Sequence, residues 1–213
     1  MGKIICFNNV KMYITTERDK MCRELVKKIR QESKELGAMP ARAQEVLNYF
    51  HIMDFKEGVP IVDILAQLGF KIYQSDLEPA GLSAYIAVDP KFEEAFGSNK
   101  ITCVHIEDSV GHKRFALAHE LAHYLFDFDE NVQLSYYNTY FPEQEGNQKE
   151  EMRANKFAAN LLMPEKLFRD KLQDFASLQS KAETVSALGR FFRVSPTAVL
   201  RRCNELGIAG YED

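Results

Sequence analysis

The 213-residue sequence predicts an α+β fold on three observations: helical apolar spacing before Gly69, a period of two between residues 70 and 106, and helical spacing again from Arg114 onward. Residues 1–15 read as an extended segment or a loosely attached arm, with Val10, Met12, Tyr13 and Ile14 able to pack. From Thr16 the composition turns helical, with Met21, Leu25, Val26 and Ile29 forming an apolar stripe towards Leu36 and Gly37. Lys27, Lys28, Arg30 and Glu32 are expected on a plain solvated face of that helix. Further helices are expected from Ala41 to Ile52 and from Ile61 to Leu68, the latter ended by Gly69. Strands are expected at Phe70, Ile72 and Tyr73, at Leu82 to Val88, and at Ile101 to Ile106, with turns at Asp89-Pro90 and Gly97-Ser98-Asn99. Together they predict a small, mainly antiparallel sheet, one strand of which borders a cleft where a peptide can add as an extra strand.

Composition narrows the functional classes. With 46% hydrophobic and 27% charged residues the chain is an ordinary globular protein, and its formal charge of −4 argues against a surface built wholly for nucleic acid. The four cysteines, Cys6, Cys22, Cys103 and Cys203, form no Cys-x-x-Cys pair, which points away from a thiolate metal site and towards a reducing compartment. Asn8 and Asn9 break the short apolar run at Ile4–Phe7, and no run approaches membrane-spanning length, so a cytoplasmic location is expected. No repeat or low-complexity segment is present.

The stretch from Arg114 to Phe126 carries His-Glu-x-x-His inside a helical pattern, uninterrupted by Gly or Pro, with Asp108 or Ser109 placed to cap it. Side chains four apart share a helix face, so His119 and His123 can converge on one cation. Glu120 lies about 100° round, near enough to reach a water at that cation and act as general base. This pattern on a helix is a general signature of zinc metalloproteases. Two histidines and a glutamate on so apolar a helix need a shared partner if buried, and a metal ion supplies one.

A catalytic zinc takes three protein ligands, and the helix from Glu150 to Leu162, stopped by Pro164, offers the third. Glu151 and Asn155 share one of its stripes with Ala154, Ala158 and Leu162, and an acid on such a semi-buried stripe calls for a cation. Between the two helices, residues 127–148 show weak periodicity and many acids and tyrosines. This segment is expected to be a loop, its acids, Asp127 among them, solvent-facing, and able to act as a lid. Tyr136, Tyr137, Tyr140 and Asn155 are candidate contacts to substrate or transition state, with plain packing of the loop as the alternative for the tyrosines. His51, His105 and His112 have no matching partner at ligand spacing, although His105 or His112 can approach the cleft.

Residues Phe115 to Leu125, followed by Glu151-x-x-Ala154-Asn155-x-Phe157-Ala158-Ala159-x-Leu161-Leu162-Met163-Pro164, resemble the ImmA/IrrE family of zinc-dependent metallopeptidases, over about residues 55 to 207. The resemblance implies a minimal zincin-like core, one Zn2+ ligated by His119, His123 and Glu151, Glu120 as the catalytic residue, and site-specific cleavage of a helix-turn-helix repressor from bacteria, phages or mobile elements. The expected division is an N-terminal helical extension at 1–54, the metallopeptidase core at 55–165 and a C-terminal helical module at 166–213. In that module Ala182 to Leu206 reads as two helices joined at Arg193-Val194-Ser195-Pro196, with Ser195 as cap and Gly207 as stop. It resembles a helix-turn-helix, and Arg190, Arg193, Arg201 and Arg202 can contact phosphates, but the second helix offers few groups that read bases, which favours a role in shielding the core or docking a protein substrate. The competing functions are a zinc-stabilised module that captures a repressor without cutting it, and a DNA-binding regulator.

Overall fold

The computed structural model describes residues 5–6, 16–56, 58–77, 82–128, 135–138, 148–176 and 180–211. The elements run β1 (Ile5–Cys6), α1 (Thr16–Gln31), a 3₁₀ turn (Leu36–Ala38), α2 (Met39–Tyr49), α3 (Ile61–Gln67), β2 (Lys71–Ser75), β3 (Ala84–Val88), α4 (Phe92–Phe96), β4 (Lys100–His105), α5 (Val110–Phe126), β5 (Ser135–Asn138), α6 (Gln148–Leu162), α7 (Glu165–Phe175), α8 (Lys181–Phe192) and α9 (Pro196–Glu205). The α+β class is as expected, a small sheet with helices packed around it.

The sheet has the order β1-β2-β4-β3-β5, and three of its four pairings are antiparallel. β2 and β4 pair in parallel, Ile72 opposite Thr102 and Gln74 opposite Val104. The sheet is mainly antiparallel, as expected, and its one parallel pair needs a long connection, which the chain between β2 and β4 supplies with β3 and the short α4. Alternation in short strands reports which side chains face the core but not which strand is the neighbour. β5 corrects the reading of the Tyr-rich segment as a loop, since Ser135 to Asn138 pair antiparallel with Val88 to Tyr85. A four-residue strand is too short to show a period.

One cluster of buried side chains extends from Ile29 in α1 through Leu47, Ile64, Phe70, Ile86, Leu121, Phe126, Phe157 and Phe168 to Leu188 and Val199 in α8 and α9. Removing this much apolar surface from water is the main source of stability. The polar stripe of α1 is not merely solvated. Lys28 pairs with Glu45 and Glu32 with Arg42, which ties α1 to α2, and Arg30 Nη2 donates to the Tyr124 carbonyl at 2.8 Å, which ties α1 to α5. Periodicity located these charges on the polar side of α1, but their partners come from elsewhere in the chain.

The C-terminal helices are joined as expected. Arg193 takes a left-handed backbone, φ 54°, and the Ser195 side chain accepts from Ala198 N. Their turn lies against the first turn of α5, where a Cβ on Gly111 would sit 2.7 Å from Ser195 N and Val194 C. Arg114, 9% exposed, spans the same junction by donating to the Val59 carbonyl at 2.6 Å and the Arg193 carbonyl at 3.1 Å. Arg202, read as a phosphate contact, is instead 1% exposed, and its guanidinium donates to the Met163 carbonyl, Asn160 Oδ1 and Glu205. A charged residue in an otherwise polar helix reads as exposed until the packing of that helix is known. Among the described residues no helix is long and apolar enough to cross a membrane.

Candidate metal centre

The Ser109 side chain caps α5 by accepting from His112 N, and the helix is buried along most of its length from Ala116 to Phe126. His119, Glu120 and His123 are 4%, 0% and 1% exposed. α6 crosses it, so that Glu151 and Asn155 meet the histidines while Arg153 and Phe157, on the neighbouring stripe, meet Asp127 and Phe126. The three donor atoms face one another: His119 Nε2 lies 2.9 Å from His123 Nε2 and 3.1 Å from Glu151 Oε2, and His123 Nε2 lies 3.3 Å from Glu151 Oε1.

The second nitrogen of each imidazole is fixed by a different partner. His119 Nδ1 lies 3.0 Å from Asn155 Oδ1 and His123 Nδ1 lies 2.8 Å from Asp127 Oδ2. An amide oxygen and a carboxylate only accept, so both Nδ1 atoms carry the proton and both Nε2 lone pairs are directed at the shared space. Asp127 is itself held by Arg153. This corrects the reading of Asp127 as a solvent-facing loop acid, because its side chain is 2% exposed at the end of α5. A signal was present: Asp127 stands four residues after His123, the same spacing that relates the two histidines.

The electrostatics ask for a cation. Burial alone would lower the basicity of His123, but the neighbouring Asp127, Glu151 and Glu120 carboxylates outweigh it and raise the pKa above the usual imidazole value. Burial would likewise raise the Glu151 pKa, and with no cation bound it is protonated, doubly donating imidazoles of His119 and His123 that overcome it and hold the carboxyl below its usual range. With neutral imidazoles, the carboxylates of Glu120, Asp127 and Glu151 exceed the single guanidinium of Arg153 by a formal charge of about −2, a divalent cation's worth. The spacing agrees, since donors each about 2.0 Å from a tetrahedral ion stand about 3.3 Å apart. Among the described residues, His119, His123 and Glu151 are the group whose ligand atoms all lie within 4.8 Å of one another.

Of the other candidates, Asn155 orients His119 and also lines the adjoining groove. Tyr136 and Tyr137 lie on β5, where the structure describes the backbone alone, and Tyr140 lies outside the described residues, as do Val10, Met12, Tyr13 and Ile14. His112 bonds Ser83 Oγ at 3.0 Å and His105 stands 3.3 Å from Asp76, so neither joins the cluster.

A helix-borne His-Glu-x-x-His pair completed by a glutamate from a second helix, beside a small mixed sheet, defines a metallopeptidase-type centre. The family model described as Peptidase_M78, IrrE N-terminal-like domain, matches residues 65–204, and the chain belongs to that family. No curated protein matches the sequence.

Proposed function

We propose that the protein is a zinc-dependent endopeptidase of cytoplasmic location that cuts a regulatory protein, a helix-turn-helix repressor, at one site. The observation that supports it most directly is the mutual placement of His119 Nε2, His123 Nε2 and Glu151 at 2.9–3.3 Å, the separation of three ligands on a tetrahedral ion. Zinc bound there supplies Lewis acidity, lowering the pKa of water and polarising a carbonyl. Asn155 and Asp127 hold the imidazoles in the tautomer that presents Nε2. The Glu120 carboxylate, buried beside His123, takes the proton of the attacking water and passes it to the leaving amine.

Purified protein should contain close to one zinc per chain, lost in His123→Ala, while Glu120→Gln keeps its zinc and loses hydrolysis by about 10²–10⁴-fold. Cleavage by Glu120→Gln at the wild-type rate would overturn the assignment of the base. Full antirepression by Glu120→Gln would instead favour a module that captures its partner without cutting it. Burial of Arg202 removes one of the four cations that a DNA-binding reading needs.

A further inference from the structure

A groove of about 720 Å³ runs between α5, α6 and α9, one residue removed from the metal centre: Asn155, whose Oδ1 meets His119 Nδ1 on the side of the ring away from the ligand space, lines it. Its apolar wall comes from Phe115, one turn before His119, from Ala159, and from Met152, which adjoins Glu151 and is 51% exposed. Its charged lining is unequal. The carboxylate of Glu205 is answered by Arg202, which lies beneath with its guanidinium committed to Glu205, Asn160 and the Met163 carbonyl. Lys156 and Arg201 also line the groove, and neither joins a carboxylate in an ion pair among the described residues. In a chain with a net charge of −4, this is a locally cationic channel beside the reacting centre.

We propose that this groove receives the polypeptide segment next to the scissile bond, and that Lys156 and Arg201 select a segment carrying an acidic side chain. The inference rests on the peptidase reading of the centre and adds the chemistry of its substrate. From Met152 to Ala159 the wall is about 10 Å long at ~1.5 Å per helical residue, which accommodates about three residues of extended chain. An apolar substrate residue would therefore cover Met152 and Phe115, with the acidic one about two to four residues from the cleaved bond. Charge complementarity and proximity name the occupant: Lys156 and Arg201 face an open apolar wall that Asn155 and Met152 bring within one residue of His119 and Glu151, so an acidic segment of the chain being cut fits it.

The test uses the zinc-loaded full chain and a synthetic library of 14-residue peptides, with new termini read by mass spectrometry. Wild type should cut peptides enriched about fivefold for Asp or Glu at one position two to four residues from the cleaved bond, the effect of one accessible ion pair. The double variant Lys156→Glu/Arg201→Glu should lose that enrichment and gain one for Lys or Arg at the same position. Cut sites without acidic enrichment, or with the same enrichment in the double variant, would overturn the proposal. In parallel, Glu120→Gln with and without the two charge reversals is mixed with the library, and retained peptides are identified after gel filtration. If wild type cuts nothing, the peptidase reading falls and the retained peptides decide the groove: acidic enrichment that reverses with the charges supports it, and its absence overturns it.

Discussion

Replacing Asp127 should weaken zinc binding although Asp127 touches no metal. Its Oδ2 accepts from His123 Nδ1 at 2.8 Å, with both side chains at most 2% exposed, so the bond is charge-assisted and shielded from water. Such a partner fixes the ring and raises the basicity of the other nitrogen, and its loss costs about 10–100-fold in metal affinity, or about 1.4–2.7 kcal/mol. Asp127→Asn keeps the shape and one acceptor oxygen and should fall near the tenfold end, whereas Asp127→Ala also leaves Arg153 without its carboxylate and should fall near the hundredfold end. Competition with a chromophoric zinc chelator at fixed pH measures the difference directly. Thermal unfolding of the metal-free variants separates a loosened ligand from a damaged fold. Asp170, exposed on α7, is the control: Asp170→Asn should match wild type. Affinity of Asp127→Ala within twofold of wild type would refute the idea that His123 is held by this contact.

Three further outcomes follow from the packing. Gly111→Ala should lower stability by about 1–3 kcal/mol, read as a shift in the denaturant midpoint, because the new Cβ would meet backbone atoms of the α8–α9 turn at 2.7 Å. Arg202→Met should cost about 1–3 kcal/mol for each interior acceptor it leaves unsatisfied, Asn160 Oδ1 and the Met163 carbonyl, and a melting temperature equal to wild type would contradict a role for these bonds in holding α9 to α6. Burial pushes the thiols of Cys103 and Cys203 up to about 11, so the thiolate fraction at pH 7.5 is very small and iodoacetamide should leave both unmodified in native protein and label both after unfolding.

The parts of the centre that sequence reasoning located are those set by local geometry. His119, Glu120 and His123 share a helix whose pitch alone aligns them, and Glu151 stood out as an acid on a semi-buried stripe. Asp127 was hidden because the apolar rhythm that defined the helix ends at Phe126, and composition then assigned it to the loop. Strand order and β5 were hidden because pairing is decided between segments far apart in the chain, where side-chain alternation is silent. Arg202 misled for a related reason: formal charge is read from the sequence, but its burial against α6 belongs to the tertiary structure.

The three candidate ligand residues are not equally anchored. His119 and His123 project from the interior of a buried helix, whereas Glu151 stands in the first turn of α6 with a side chain 30% exposed. Helix ends open far more often than helix middles. A captive ion would therefore escape by a fixed sequence, the carboxylate letting go first while the imidazole pair still holds. Reloading would run the same path backwards, with the histidines as the landing point and α6 closing last. Exchange kinetics would then be set by the opening of a single turn and not by unfolding of the protein.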